Sequence, residues 1–405
     1  MLERPLYDRN FWLAFASQTS FVCANTLLAH YARWIEYLGG DLGQVGWIMG
    51  SCAIAGLALR PWMAQWINRI GARAMWGIGY LTFAIASLLN LVIIDIDWAI
   101  YAIRGSLVLG TAIVFASSLT YISLTTPEHR RTEAIGIFGI GGFTGMLCGP
   151  LLGDWFLAER SSESFQTLFV AATALSLLPA LGLPLLRPTP GNGKKSSVKL
   201  IDFIATTRRY WPGMILLVDL AFGICMSAPF VFLASFIDAA ALQIEGMSVI
   251  GLFFFFYAGV ALVIRVLSRR WPDRYGVRKV LMLGVFFLTI GMFTFGLVDA
   301  SNPWLIILPA TTAGIGHSLM FHTMTSLTIE KFPVEVRGTG SALALMMLDL
   351  GTVGGTPVLG WIGENYGYPA LFATIGLICL TSGVTYSGSE MVRSTRIELQ
   401  SEPTG

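Results

Sequence analysis

Charge is scarce in this chain of 405 residues: Asp, Glu, Lys and Arg together make up 12%, about half of what a soluble domain carries. So few charges do not cover the surface of a soluble protein of this length. An ordinary cytosolic enzyme and a disordered chain are thereby excluded. Basic residues are not in excess, the net charge being +2, which argues against nucleic acid as a partner. Histidine is rare. His30, His129, His317 and His322 are dispersed, so no metal site and no cofactor are expected. The five cysteines, Cys23, Cys52, Cys148, Cys225 and Cys379, lie in apolar segments without a C-x-x-C pair, and are expected as free, buried thiols. H-E-x-x-H and G-x-S-x-G motifs are absent. Gly193-Lys194 is followed by Lys195 rather than Ser or Thr, so it is no phosphate loop. The chain is not expected to be an enzyme. Met1 to Asn10 is short and mixed in charge, and the apolar stretch after it is too long for a signal peptide, so none is expected.

Apolar residues are abundant instead: 55% of the chain, with a mean hydropathy of +0.67. A spanning helix takes about 20 apolar residues. Apolar runs stand at about 11–34, 45–67, 74–94, 98–121, 134–157 and 165–186, then at about 212–237, 247–268, 279–298, 303–325, 338–361 and 368–388. They are too long and too uniformly apolar for barrel strands. The expected fold is an all-α membrane protein of 12 transmembrane helices in two pseudo-symmetric six-helix bundles. The bundles are residues 1–186 and 212–405, joined by a basic, turn-rich cytoplasmic linker at 187–211 that contains Pro188-Thr189-Pro190-Gly191. With both termini cytoplasmic, every Lys and Arg except Arg33, Arg104 and Arg160 falls inside, as the positive-inside rule requires. Outer loops are acidic, with Asp41, Asp95, Asp97, Asp238, Glu245, Asp299 and Glu364. Tryptophans from Trp12 to Trp361 gather near the expected helix ends, forming an interfacial belt. Phe253 to Phe256 reads as lipid-facing or packed bulk.

The two halves repeat with a shift of about 205 residues. Arg60 stands eight residues before Asn68-Arg69-Ile70-Gly71-Ala72-Arg73, and Arg265 eight before Asp273-Arg274-Tyr275-Gly276-Val277-Arg278. Pro127-x-x-x-Arg131 is echoed by Pro333-x-x-x-Arg337, and Pro150 by Pro357. The fifth span carries Gly145-x-x-x-Gly149-Pro150-x-x-Gly153, and the fourth Arg104 with Gly110. Glycine and proline there let helices approach closely and bend. In these motifs the chain resembles the major facilitator superfamily of secondary transporters, over nearly its whole length. The second D-R-x-G loop fits that family well. The first departs from it at Asn68, and Asp154 replaces the last glycine of a fifth-helix pattern found in drug/proton antiporters. The resemblance implies two bundles rocking about a central site, gated by the Arg69–Arg73 and Arg274–Arg278 loops with Arg131 and Arg337. It also implies that the first and fourth helices of each half line a central cavity.

Ionisable residues inside a membrane are costly and are functional by default. They are few here: Arg104 in the fourth span, Asp219 in the seventh, His317 and His322 in the tenth, and Asp349 in the eleventh. Arg104 has the alternative of snorkelling to the outer boundary, and Asp219 that of reaching interfacial water. His317 and His322 are five apart and do not share a helix face. Gln18 and Asn25 of the first span add hydrogen-bonding groups. Asp349 lies about 18 Å into its helix from Arg337, near mid-membrane, with no cation near it in sequence. It is the candidate carrier of a coupling proton, with Arg104 and His317 as substrate contacts; hydrogen bonding to a neighbouring helix is the alternative. The function expected is alternating-access transport of a small organic solute, as proton-coupled export. Uptake of a sugar, organic acid or other nutrient is the alternative within the class, and a non-transporting receptor or sensor the alternative outside it. Partners would be the solute, protons and the lipid bilayer, with the chain a monomer in the inner membrane of a bacterium.

Overall fold

A computed structural model describes residues 7–126, 131–189, 200–333 and 336–401. The side chains of 61, 64, 65, 68, 131–133, 135, 136, 269, 273, 337, 338 and 392–401 are outside the description. The expected gating residues Asn68, Arg131, Asp273 and Arg337, and the middle of the linker, 190–199, therefore lie outside the described residues. Among the described residues the secondary structure is helical, apart from an isolated bridge between Ile244 and Met247.

The first span is α1 (Arg9–Leu27), which passes through one tight turn into α2 (Tyr31–Tyr37). The second is α3 (Leu42–Ser51) with α4 (Ala53–Ile70). The third to sixth are α5 (Ala72–Leu89), α6 (Trp98–Thr125), α7 (Arg131–Phe156) and α8 (Ser162–Gly182). A short helix, α9 (Leu200–Arg209), precedes the seventh span, α10 (Ile215–Ser227) with α11 (Leu233–Ala239). The eighth is α12 (Val249–Leu267), followed by a single turn, α13 (Trp271–Tyr275). The ninth and tenth are α14 (Val277–Thr294) and α15 (Ile307–Glu330). The last helix, α16 (Arg337–Ser401), is broken at Gly367, where φ is 82°, and so supplies the eleventh and twelfth spans. Among the described residues ten helices pass on length and apolarity as membrane crossings, the stretch Thr339–Met391 counting once. The first span, diluted by Ser, Thr, Asn and Gln, stands beside them.

Helix starts are capped by the short polar side chains that sit before them. Asp41 forms a reciprocal capping box with Gln44, and Asp97, Ser161 and Ser248 accept from the first turns of their helices. Each satisfies a donor that a helix start leaves open. The turn from second to third span needs a left-handed backbone, and glycine supplies it in both halves. Gly71 has φ 97° and Gly276 φ 90°, 205 residues apart. Their N–H groups close on the carbonyls of Ile67 and Pro272, themselves 205 apart.

Packing follows the repeat. The first span packs on the fifth, the third on the fourth and sixth, and the second on the fourth; the seventh, ninth and eighth do the same with their counterparts. Gly110 sits against Phe83 and Gly316 against Leu288, one contact in each half at equivalent positions. The halves meet along two seams, second span against eleventh and fifth against eighth.

Two expectations need correction. Cys148 is exposed, because it lies beside rather than on the glycine stripe of its helix; the other four cysteines are buried and all five are free. The end of the polar linker is not plain solvated chain. α9 buries Phe203 and Thr207, with Phe203 packed among Leu216, Phe332 and Leu343.

Candidate transport path

The fifth-span glycines hold the first span at backbone distance. A Cβ on Gly145 would lie 2.6 Å from the Thr19 carbonyl oxygen, and one on Gly153 2.1 Å from the His30 ring. Thr26 Oγ1 donates to the Gly145 carbonyl at 3.0 Å. His30 Nε2 lies 3.1 Å from the carbonyl of Pro150, a carbonyl one turn before Asp154 in the same helix. The motif thus brings the first span against Asp154 at the outer end of the fifth.

There the structure assembles a charge cluster that no local sequence feature announced. Arg33, near the end of the first apolar run and one of the three cations not assigned to the cytoplasmic side, is 7% exposed. Its Nη1 donates to Asp154 at 2.6 Å, and its Nε and Nη2 donate to the two oxygens of Asp238 at 2.8 and 2.9 Å. Asp238 was expected in a loop but closes the seventh span. Arg160 also pairs with Asp238, and Ser248 donates to Asp154. Arg33 and Asp238 stand 205 residues apart. They are repeat equivalents, so each meets the other across the axis relating the halves. A cleft of about 870 Å³ opens beside them, lined by Arg33, Asp154, Arg160, Asp238 and the 241–249 segment.

Along the other seam the second and eleventh spans run antiparallel. Leu42 N–H donates to Glu364 at 3.0 Å. A Cβ on Gly46 would meet Gly360 Cα at 2.9 Å, and one on Gly50 would meet Pro357 at 2.5 Å. At the far end Arg60 grips Asp349, its Nη2 donating at 2.9 Å and its Nε donating to the second oxygen. From Leu42 to Arg60 is about 27 Å of helix.

Asp349 therefore has a cation beside it, contrary to expectation. Arg60 and Arg265 lie inside the apolar runs at 45–67 and 247–268 and inside α4 and α12, but the positive-inside count assigns them to the flanks of the cytoplasmic loops. Arg104 is consequently not the sole cation within the spans. It lies over the Tyr31 ring, 4.8 Å from the centroid, with its Nε buried and unpartnered among the described residues. His317 belongs to a different group, its Nδ1 hydrogen-bonded to the Tyr257 hydroxyl.

Asp219 is fully buried and accepts from Thr328 at 2.7 Å. That bond joins the seventh and tenth spans within one half. Asn25 accepts from Thr111 at 2.9 Å, joining the first and fourth. Gln18 is buried with its Oε1 unpartnered among the described residues. Among the gating-loop residues, Arg73 donates from Nη1 to the carbonyl of Leu186 at 2.7 Å, and Arg278 pairs with Glu390. These equivalent arginines tie the third span to the end of the sixth and the ninth to the twelfth, each within its own half. Arg69 is exposed, and Arg274 stacks on Tyr275 at 5.3 Å.

Two helical halves joined across two seams, with ten helices among the described residues long and apolar enough to cross a membrane, define a multi-pass membrane protein. The sequence profile of the Major Facilitator Superfamily matches residues 11–274 and 248–391, and the chain belongs to that family of membrane transporters. It is 25% identical over 352 residues to "Multidrug resistance protein 1" of Bacillus subtilis (strain 168), covering 82% of this chain and 84% of that protein. It is 22% identical to the "Hexuronate transporter" of Escherichia coli (strain K12), covering 89% and 88%. With the "Staphylopine export protein" of Staphylococcus aureus (strain Mu50 / ATCC 700699) it shares 21% identity, covering 89% and 91%. A solved structure of the nucleoside transporter NupG superposes with a TM-score of 0.77 at 14% identity, over 94% of this chain and 99% of that one.

Proposed function

We propose that this chain carries a small organic solute across the inner membrane of a bacterium by alternating access, acting as a monomer with both termini in the cytoplasm. Residues 1–186 and 212–405 are the two moving bodies and 187–211 the linker. Export driven by protons is the direction we favour, on the glycine-stripe contact between the first and fifth spans and on the named exporters among the relatives. The hexuronate relative keeps uptake as the second reading.

The observation that carries the reading is the Arg60–Asp349 pair. It bridges the halves at the inner end of the seam of the second and eleventh spans, away from the Leu42–Glu364 contact, and must part when that inner end opens. A proton on Asp349 removes one charge of the pair, and without that charge the two-pronged ion pair weakens to a hydrogen bond from the guanidinium to a neutral carboxyl group. Proton arrival and seam opening are then one event. Arg104, whose Nε is buried and unpartnered among the described residues, and His317 are the solute contacts of this reading.

The test is flux in proteoliposomes. Counterflow of ethidium, glucuronate, uridine and 2-naphthoate selects a carried solute, which is then driven by an imposed pH gradient. Asp349→Asn should lose the gradient-driven component, by about tenfold or more, while keeping solute exchange. Gradient-driven flux at the normal rate in folded Asp349→Asn protein would remove Asp349 from coupling.

A further inference from the structure

His30 is a buried titratable side chain with no part in the Arg60–Asp349 pair. It ends the tight turn between α1 and α2 and is fully buried. Both ring nitrogens are engaged. Nε2 lies 3.1 Å from the Pro150 carbonyl oxygen, and Nδ1 lies 2.9 Å from Arg33 Nη1. A carbonyl oxygen only accepts and a guanidinium only donates. The ring therefore carries its one proton on Nε2, donates it to Pro150, and accepts from Arg33 on Nδ1. These two contacts fix one tautomer and a neutral ring. The fifth span holds the ring in place, since a Cβ on Gly153 would lie 2.1 Å from it.

Nδ1 serves Arg33. The Arg33 Nη1 is shared between His30 Nδ1 at 2.9 Å and Asp154 Oδ1 at 2.6 Å, while Nε and Nη2 hold Asp238 of the opposite half. His30 thus aims the guanidinium that ties the outer ends of the first and seventh spans together. A proton on Nδ1 reverses this contact, because two charged donors then face each other at 2.9 Å. The acceptor next in reach is Asp154 Oδ1, 3.7 Å from Nδ1. A protonated ring takes that oxygen, which is the one Arg33 holds, and repels Arg33. The charged groups around the ring are Arg33 and Glu36 of its own helix, Asp154 of the fifth span with Arg160 just after it, and Asp238 of the seventh with exposed Glu245 beyond. Histidine is the side-chain type whose ordinary range falls between about pH 5 and 8. Arg33 and Asp154 both line the outer cleft and both lie against the ring. When they part, water reaches His30. Ser235 stands at the equivalent place in the second half, so the repeat does not duplicate the site.

We propose that His30 is a proton site of the outer latch: the closed outer side holds the ring neutral beneath Arg33, and opening lets Nδ1 take a proton from water of the outer cleft. That proton in turn keeps Arg33 off Asp154. His30 acts through Arg33 and is a positioning residue for the latch. The site rests on the transport reading for its place in a cycle, and adds an outer proton to the inner one at Asp349. Its sign follows from linkage. The open form binds a proton that the closed form excludes, so the open-to-closed ratio rises as pH falls. A hydrated imidazole titrates at about pH 6.5, so between about pH 8 and about pH 5.5 the ratio rises about tenfold.

Outer opening is measured by double electron–electron resonance on the full chain in nanodiscs. In a chain whose own five cysteines are replaced, nitroxides are attached at Ser162→Cys and Ala300→Cys, exposed positions at the outer ends of the two halves. The populations at the longer and shorter distances are compared at about pH 8 and about pH 5.5, without solute. Their ratio should rise about tenfold on acidification, and equally in Asp349→Asn. His30→Gln keeps a donor and an acceptor but takes no proton, so its ratio should change by less than about twofold. Where His30→Gln does not fold, His30→Asn is read in the same way. A ratio independent of pH in the chain with His30, or a histidine-free latch with the wild-type profile, would overturn the site. A profile lost in Asp349→Asn would overturn it too, by giving the proton to Asp349. Opening that depends on His30 in a chain that carries no solute would contradict the transport reading and leave the site standing. Solute flux with opening independent of pH would do the reverse.

Discussion

Gly149→Val should leave almost no correctly folded protein in the membrane. A Cβ at Gly149 would stand 2.2 Å from Thr26 Oγ1, 2.6 Å from the Cys23 carbonyl oxygen and 2.7 Å from the Leu27 nitrogen. Two of those atoms are backbone, so no rotamer relieves the clash, and the first span must move away from the fifth. Overpacking a tight site costs about 1–3 kcal/mol when side chains can adjust; here they cannot, and valine adds two methyl groups. Moving the first span would also break the Thr26 to Gly145 bond and unseat His30 from the Pro150 carbonyl. Gly354 has no atom within 4 Å of its built Cβ, so Gly354→Ala is the control. Size-exclusion profiles and melting temperatures of the detergent-extracted proteins read the result. A monodisperse Gly149→Val peak with a normal melting temperature would mean that the two helices are not apposed as described.

Arg33→Gln should unlatch the outer face. Removing this guanidinium strips Asp154 of its ion-pair partner and leaves Asp238 with Arg160 alone, whose side chain is half exposed. Breaking a buried pair from one side costs about 3–5 kcal/mol. Part of that cost is escaped by opening the seam to water, so the loss should appear as a shift toward the outward-open form rather than as simple unfolding. Val249 is buried at the edge of the outer cleft. In a chain otherwise free of cysteine, Val249→Cys should react with an impermeant maleimide from outside at least about tenfold faster when Arg33 is replaced. Adding Asp238→Asn should recover part of the closure, because one stranded charge is gone. Equal labelling rates with and without Arg33 would show that the cluster is not the seal.

How much of this could be read from the residues depends on range. The helical spans were legible because twenty-residue apolar runs have no other use in water. Gly71 and Gly276 were legible because the same turn occurs twice. The glycine stripe of the fifth span was legible as a close-packing surface, though not its partner. The ion pairs were not legible, because Arg60 and Asp349, or Arg33 and Asp154, are joined only by the way the halves face each other. Arg60 and Arg265 were misplaced for a simpler reason: the charge count gave them to the flanks of the loops although both stand inside the apolar runs. One signal was available. Arg33 and Asp238 differ by the repeat shift and carry opposite charges at the outer ends of equivalent helices. Equivalent residues close to the axis of a twofold repeat face each other, so that pair was open to inference from the repeat alone.

The account's central claim is that the halves part along the seam of the second and eleventh spans during each cycle. Leu42 and Gly363 face each other there, a Cβ on Gly363 lying 2.5 Å from a Leu42 methyl carbon. Cysteines placed at both positions, in a chain lacking the other five, can be joined by mild oxidation. With the carried solute chosen by counterflow, the joined protein should show no flux, and reduction should restore it to the rate before oxidation. Unchanged flux through protein shown by its mass to be fully cross-linked would contradict the claim.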